Sequence, residues 1–326
     1  MHHRSTRAAR LTVAGLSVVS LTAVAACGVS ASEEEFPSEQ IEIIVPWDAG
    51  GGTDLGTRQL AAAAEETCGV GMVVSNQTGG AGATGHQAMA DAEPDGYTVG
   101  TATIEVTILE HLGSADVTPE DLQGVLQFQS ATSVVAVPAD SPYQTFADLL
   151  EAARSGEELR VATNGTGGIW DIAAAQLAEA AGFEWAERVP MDGGPGMVQA
   201  TLSGDTQVLT PSGAEILAQV ESGELRVLAV MGDERMDVYP DAPTLAEEGI
   251  DLEAANWFGI VAPDGVPQDR VQALSDCFHE AAQTPEFEEF MDNQGFRIVL
   301  QQADDFEAFM DEQYERHGDL TEEIYG

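Results

Sequence analysis

Three glycine-rich segments hold the residues whose type and spacing could do chemistry. They are Pro46-Trp47-Asp48-Ala49-Gly50-Gly51-Gly52-Thr53-Asp54, Asn76-Gln77-Thr78-Gly79-Gly80-Ala81-Gly82-Ala83-Thr84-Gly85 and Asn164-Gly165-Thr166-Gly167-Gly168. Each follows a short apolar run and precedes a helical pattern. A helix starting there aims its first N–H groups and the positive end of its dipole at the loop, which favours an anion. Glycine adds close approach, since no Cβ keeps a ligand off the backbone. A single loop of this kind is as readily a tight turn. Three in corresponding places predict one shared anion site at the carboxyl ends of strands.

Competing chemistries find less support. Gly80, Gly82 and Gly85 match G-x-G-x-x-G, and Glu105 stands 20 residues further on, as a dinucleotide fold requires. The strand before them ends near Ser75, however, and that fingerprint needs a strand running almost directly into the first glycine. His86, His111, His279 and His317 are scattered without metal-ligand spacing, and no Ser or Cys sits in a G-x-S-x-G elbow. No metal, no cofactor and no catalytic residue are expected, so the chain reads as a binder and not an enzyme.

The elements that must position these loops alternate. Residues 41–45 (IEIIV) form a strand apolar enough for burial on both faces. Thr53 or Asp54 can cap the helix that runs through 60–66. Further strands are expected at 72–75, 97–101, 133–137, 159–163, 188–189, 208–209, 225–230, 257–262 and 297–299. Helices are expected at 84–92, 145–150, 169–181, 197–202, 214–220, 268–282 and 304–314. This alternation predicts an α/β protein with parallel sheets. Trp47, Trp170 and Trp257 are candidates for a cleft wall, although tryptophan more often lies in a core; Trp47 leads because a glycine loop flanks it.

Charge and the amino terminus set the location. Residues 1–10 are basic, 11–26 carry no charge, and Val24-Ala25-Ala26-Cys27 precedes Gly28. A basic start, an apolar run shorter than the roughly 20 residues of a membrane span and small residues at the cut predict a secretory signal over 1–27. Residues 28–36, with three consecutive glutamates, are expected to be a flexible linker. A nicotinamide cofactor would be out of reach outside the cell.

All 12 basic residues are arginine, and three of them fall in the signal, which has no acid; nine then face 56 acids, a mature net charge of −47 by difference. No basic patch exists to neutralise phosphates, which excludes nucleic acid as a partner. Self-repulsion of this size destabilises a compact fold in dilute buffer, whereas at about 1 M salt the Debye length is only about 3 Å. The acid excess and missing lysines thus point to a salt-adapted source; a GC-rich genome with an acidic bias is the other reading. Beyond Cys27 there are only Cys68 and Cys277, and an oxidising compartment permits them to pair.

At its loops the chain resembles a known family. Ile44-Val45-Pro46-Trp47 through Gly50-Gly51-Gly52-Thr53-Asp54, Asn76 with Gly79-Gly80-Ala81-Gly82, and Pro94-Asp95-Gly96-Tyr97-Thr98 look like the solute-binding receptors of the tripartite tricarboxylate transporter family. The resemblance continues through Gly165-Thr166-Gly167-Gly168, Gly193-Gly194, Leu225-Arg226-Val227-Leu228-Ala229-Val230, Pro240-Asp241-Ala242-Pro243-Thr244, Trp257-Phe258-Gly259 and Ala262-Pro263. It implies a two-lobed, type II periplasmic-binding-protein-like α/β fold, each lobe a mostly parallel sheet flanked by helices. Residues 37–133 and 258–326 would form lobe 1 and 134–257 lobe 2, with crossings near Val134 and Phe258. The implied function is a monomeric extracytoplasmic receptor that closes over a small organic acid and delivers it to small and large membrane subunits. Small residues ending in Cys27 also resemble a bacterial lipobox, implying a lipid anchor to the cell membrane; an ordinary signal peptide with an incidental cysteine is the alternative.

Carried over residue by residue, the resemblance implies N–H donors at Ala49, Gly50 and Gly51, at Ala81, Gly82, Ala83 and Thr84, and at Thr166, Gly167 and Gly168. Gly193, Gly194 and Ser212 join them, with Trp47 alongside. The chain departs from the family at polar positions: Asp48 stands for a proline or small neutral residue, Asp171 for a frequent histidine, and Met191-Asp192 for a common Tyr-Lys pair. Either these aspartates are solvated acidic surface, or one faces the cleft and meets the ammonium of an amine-bearing acid. A receptor feeding a sensor and a secreted enzyme acting on small acids are the rival functions.

Overall fold

Apolar strands and the helices between them sort into two sheets in the computed structural model, which describes residues 36–191 and 193–325. Cys27, residues 28–35 of the expected linker and Asp192 lie outside the described residues. The elements are β1 (Ile41–Val45), α1 (Gly52–Thr67), β2 (Met72–Asn76), α2 (Ala83–Ala90), β3 (Thr98–Thr103), β4 (Leu122–Thr132), β5 (Val134–Pro138), α3 (Phe146–Arg154), β6 (Arg160–Thr163) and α4 (Ile169–Ala181). They continue with β7 (Glu187–Pro190), α5 (Gly194–Ser203), β8 (Val208–Leu209), α6 (Leu217–Glu221), β9 (Leu225–Val230), β10 (Ala255–Pro263), α7 (Gln268–Ala281), α8 (Pro285–Gln294), β11 (Arg297–Gln302) and α9 (Ala303–Tyr325).

The first sheet has the order β11-β4-β10-β3-β1-β2 and the second β7-β6-β8-β5-β9. β1 runs parallel to β2 and β3, while β10 opposes both β3 and β4 and β11 opposes β4. In the second sheet β6 is parallel to β7 and β8, and β5 is antiparallel to β8 and β9. Both sheets are therefore mixed, where mostly parallel ones were expected. Every antiparallel pair includes a strand at a passage between the sheets, β4 or β10 in the first and β5 in the second, and β4 runs into β5 through Ser133 alone. The chain returns to the first sheet at Ala255, the start of β10, ahead of Phe258.

Each sheet buries its own apolar side chains. Ile41, Ile43, Phe128, Phe278 and Phe287 pack where α1, α7 and α8 cover the first sheet, and Val135, Val137, Phe146, Leu149 and Leu177 do so in the second. Trp257 belongs to the interior, edge-on to Phe306 and Phe309 with ring centroids 5.5 and 5.7 Å away. Cys68, at the end of α1, and Cys277 of α7 form a disulfide with Cα atoms 5.0 Å apart. The closing helix, expected to end near 314, runs on to Tyr325. There the Tyr325 hydroxyl donates to Asp171 Oδ2 at 2.6 Å and the Arg188 guanidinium lies over its ring at 5.4 Å, tying α9 to the second lobe.

Candidate functional site

The glycine loops leave the carboxyl ends of β1, β2 and β6 and meet where the two lobes face each other. Between them lies a narrow cavity whose walls include Trp47, Asp48, Gly51, Gly52 and Phe258 from the first lobe and Asn164, Trp170, Gly193, Gly194 and Glu215 from the second. A second narrow space, bounded by Thr78, Gly79, Ala81, Gly165 and Met191, shares Trp47 and Asn164 with it. Ala81 has φ of 53°, a left-handed conformation that costs a residue with a side chain and tends to persist at functional sites.

Two of the helix starts use one device. Gly51, which opens α1, has no side chain to cap with; instead the Gly50 N–H donates to Asp54 Oδ2 at 2.9 Å. Arg58 Nε grips both Asp54 oxygens at 2.9 and 3.0 Å, and Asn76 Nδ2 donates to Asp54 Oδ1 and to the Trp47 carbonyl, both at 2.9 Å. Burial pushes the Asp54 carboxyl up, but these donors outweigh it and hold the group below its ordinary range. At α4 the Gly167 N–H donates to Asp171 Oδ2 at 3.0 Å, and Arg188 reaches the same oxygen at 3.2 Å. In both cases an aspartate on the first turn folds back four residues onto its glycine loop and takes an arginine.

Each of these helix starts also receives a carboxyl from the opposite lobe. Glu105, just after β3, is buried, and its Oε1 accepts from the Ile169 N–H at the start of α4 at 3.1 Å and from Asn164 Nδ2 at 3.3 Å. Its Oε2 takes the Thr103 hydroxyl at 2.6 Å. Glu215 sends a carboxyl the other way. Its Oε2 accepts from the Ser212 N–H at 3.0 Å and the Ser212 hydroxyl at 2.9 Å, and its side chain lies against Gly52 at the start of α1. Burial raises both glutamates above the ordinary carboxylate range, and their hydrogen bonds offset this only in part.

His86 fixes the second loop to the sheet. Its Nε2 accepts from the Thr103 N–H at 3.1 Å, so Nδ1 carries the proton and donates to the Gly82 carbonyl at 2.9 Å. Burial lowers this imidazole to about 4, so it stays neutral. The Trp47 indole donates to Thr103 Oγ1 at 3.3 Å, which holds that ring beside the cavity. Among the described residues no group of three or more His, Cys, Asp or Glu is placed to hold a metal.

A model of the tripartite tricarboxylate transporter family receptor matches residues 57–325. The chain belongs to that family. It is 31% identical over 270 residues to the UPF0065 protein in the gbd 5' region of Cupriavidus necator, covering 82% of this chain and 81% of that one. A TctC solute-binding protein from Polaromonas, solved with no ligand, is 28% identical with a TM-score of 0.68, over 89% of this chain and 100% of its own. Two Rhodopseudomonas palustris proteins, one with bound malate and one with adipate, are 21% and 24% identical, each with a TM-score of 0.80; they cover 87% and 88% of this chain and 99% and 97% of theirs. The two-lobed periplasmic-binding-protein fold and the solute receptor role of the family follow.

Within this receptor the expected site residues are distributed unevenly. Trp47, Asp48, Gly51, Gly193 and Gly194 line the first cavity and Ala81 the second. Ala49, Gly50, Thr84 and Thr166 are exposed, and Gly82, Ala83, Gly167 and Gly168 line neither space. Ser212 acts through Glu215, and Asp171 is buried against Arg188, Tyr325 and the Gly167 N–H, away from the cavity. Glu105, Glu215 and Asn256 are the residues that sequence reasoning missed. One signal was present: Ser212-Gly213-Ala214-Glu215 has the spacing of a capping box, which marks a local turn and gives no hint of a reach into the other lobe.

Proposed function

We propose that this protein is an extracytoplasmic receptor, lipid-anchored through Cys27, that captures a small organic acid between its lobes and delivers it to the small and large membrane subunits of a tripartite transporter. The observation that carries this reading is the narrow crevice walled by both lobes, where loop glycines and aromatic rings converge, the kind of concave, partly apolar place in which small-ligand sites form. Aromatic rings from Trp47, Trp170 and Phe258 supply an apolar body for the site, and Asn164 and Asn256 supply polar contacts. The family's receptor role and the fold shared with the malate- and adipate-bound proteins support a carboxylate as the ligand class. Closure would turn on the two passages between sheets, at Ser133 and just before Ala255. The protein acts as a monomer and leaves its ligand unaltered.

An amine-bearing acid is a second reading. Asp48 and Glu215 line the cavity while its walls include no Lys, Arg or His among the described residues, a balance that suits an ammonium. Native mass spectrometry of the purified mature protein should show a small acid carried through purification, and small-angle scattering should show compaction when that acid is restored to stripped protein. Release of a chemically altered ligand would turn the reading toward an enzyme.

A further inference from the structure

The space between the starts of α1 and α5 is a seat for a carboxylate, and it is filled from within. The start of α1 borders it on one lobe, where a Cβ at Gly52 would come within 3.4 Å of Glu215 Cγ, and the Ser212 N–H and hydroxyl point into it from the other. Gly51 and Gly194 flank it, and a Cβ at Gly194 would collide with the carboxyl seated there, while one at Gly51 would come within 3.9 Å of it. The occupant is Glu215. A glutamate serving only a capping box needs one oxygen on the Ser212 backbone, and Oε2 provides that at 3.0 Å. Oε1 is left over, and it is the atom nearest Gly194 and the part of Glu215 that faces Gly51. The glycines that would let a ligand's carboxylate approach the backbone thus let this side chain approach it.

We propose that Glu215 is a built-in carboxylate occupying one anion subsite of the cleft, so that the ligand is an acid with a single carboxylate whose other end is neutral or cationic. This rests on the carboxylate-receptor reading and narrows it. A diacid would bring its second charge against Glu215 and toward Asp48, on walls that offer no basic side chain among the described residues. Two carboxylates sharing one site do not both stay ionised; one must take up a proton. A ligand with an amide or ammonium at that end meets an acceptor instead.

The test uses matched pairs that differ only at one end: succinate against succinamate, glutarate against its monoamide, adipate against its monoamide. Titration calorimetry on the mature protein in about 1 M salt removes long-range repulsion from the comparison. Wild type should bind a monoamide at least about tenfold more tightly than its diacid, the effect of about one pKa unit of like-charge interaction. Glu215→Ala vacates the seat, and the diacid should then gain at least about tenfold and overtake the monoamide. Glu215→Gln keeps the shape and loses the charge, so it should narrow the preference without reversing it. A wild type that prefers diacids, or a ratio unchanged in Glu215→Ala, overturns the proposal and leaves the carboxylate receptor standing. If the alanine variant does not melt cooperatively, an unchanged ratio in Glu215→Gln overturns it equally. Failure of every acid in the series to bind any of the three proteins removes the carboxylate reading, and this inference with it.

Discussion

Carboxyl groups at the lobe seam and one imidazole beside it give stability two opposite responses to pH. Glu105 and Glu215 have raised folded-state values. A group raised on folding contributes stability that is fully present below its unfolded value, about 4.3 for glutamate, and is lost as pH rises through the raised value. Glu105→Gln, which keeps an acceptor for the Ile169 N–H, should therefore raise the melting temperature near pH 7 by a few degrees and leave it nearly unchanged near pH 4. His86 acts in the other sense. Its value falls from 6.5 to about 4, so its contribution is complete above 6.5 and fades as pH drops toward 4, by about 3 kcal/mol at about 1.4 kcal/mol per unit. His317, lowered to about 4 by burial and the Arg316 charge, adds to that acid limb. Thermal melts from pH 4 to 8 should show a shallower acid limb in His86→Gln; an unchanged limb would place the titration elsewhere. The glycine loops of this site were legible in the sequence because helix starts have local rules. Glu105 and Glu215 were not, because each acts on a loop about 60 or 160 residues away in the chain, and no local pattern records that pairing.

The elements show the same division. Strands such as β1 and β9 announce themselves by apolar runs. β4 does not, although it is central to its sheet: Gln123, Gln127 and Gln129 alternate with apolar residues, and Gln127 and Gln129 are nevertheless buried. Polar side chains inside a sheet carry the sequence signal of an exposed edge. α8 escaped for a related reason, since its first turn, Pro285-Glu286-Phe287-Glu288, exposes two acids around the buried Phe287. The disulfide was a sequence-level option that needed α1 and α7 to lie side by side, which they do, with Thr67 Oγ1 donating to the Cys277 carbonyl at 2.8 Å. It closes a loop of 209 residues, for which the chain-entropy model gives about 5 kcal/mol. Adding reductant, or replacing Cys68 by Ala, should lower stability by about that amount in urea titrations while leaving ligand stoichiometry at one. Two free thiols in the unreduced, denatured mature protein would show that the bond is not made.

At the scale of the molecule the dominant fact is charge. The mature chain carries nine arginines against 56 acids, and only a few of the acids are neutralised by ion pairs such as Asp54–Arg58, Asp171–Arg188 and Glu247–Arg235. The fold and the family were legible from the loops, but the charge bears on neither; it bears on how lobes of like sign approach each other and an anionic ligand. Closure brings them together, and in dilute buffer that costs free energy over the whole facing surface. The contacts between the lobes are short and largely buried: Glu105 on the Ile169 N–H, Tyr325 on Asp171, Glu215 against Gly52. Buried contacts are screened much less than surface repulsion, so salt should remove the opposition and spare the attraction. Between about 0.1 M and 1 M salt the Debye length falls from about 10 Å to about 3 Å, and both the melting temperature and the association rate for a carboxylate should rise across that range. Asp171→Asn serves as the internal contrast. Its carboxyl holds Arg188, Tyr325 and the Gly167 N–H together, so the variant should melt lower at every salt concentration while its association rate keeps the wild-type salt slope. Stopped-flow binding and thermal melts on both proteins measure the two quantities. If neither the melting temperature nor the association rate of wild type responds to salt, repulsion is not what opposes closure, and the salt-adapted reading of the acid excess fails with it.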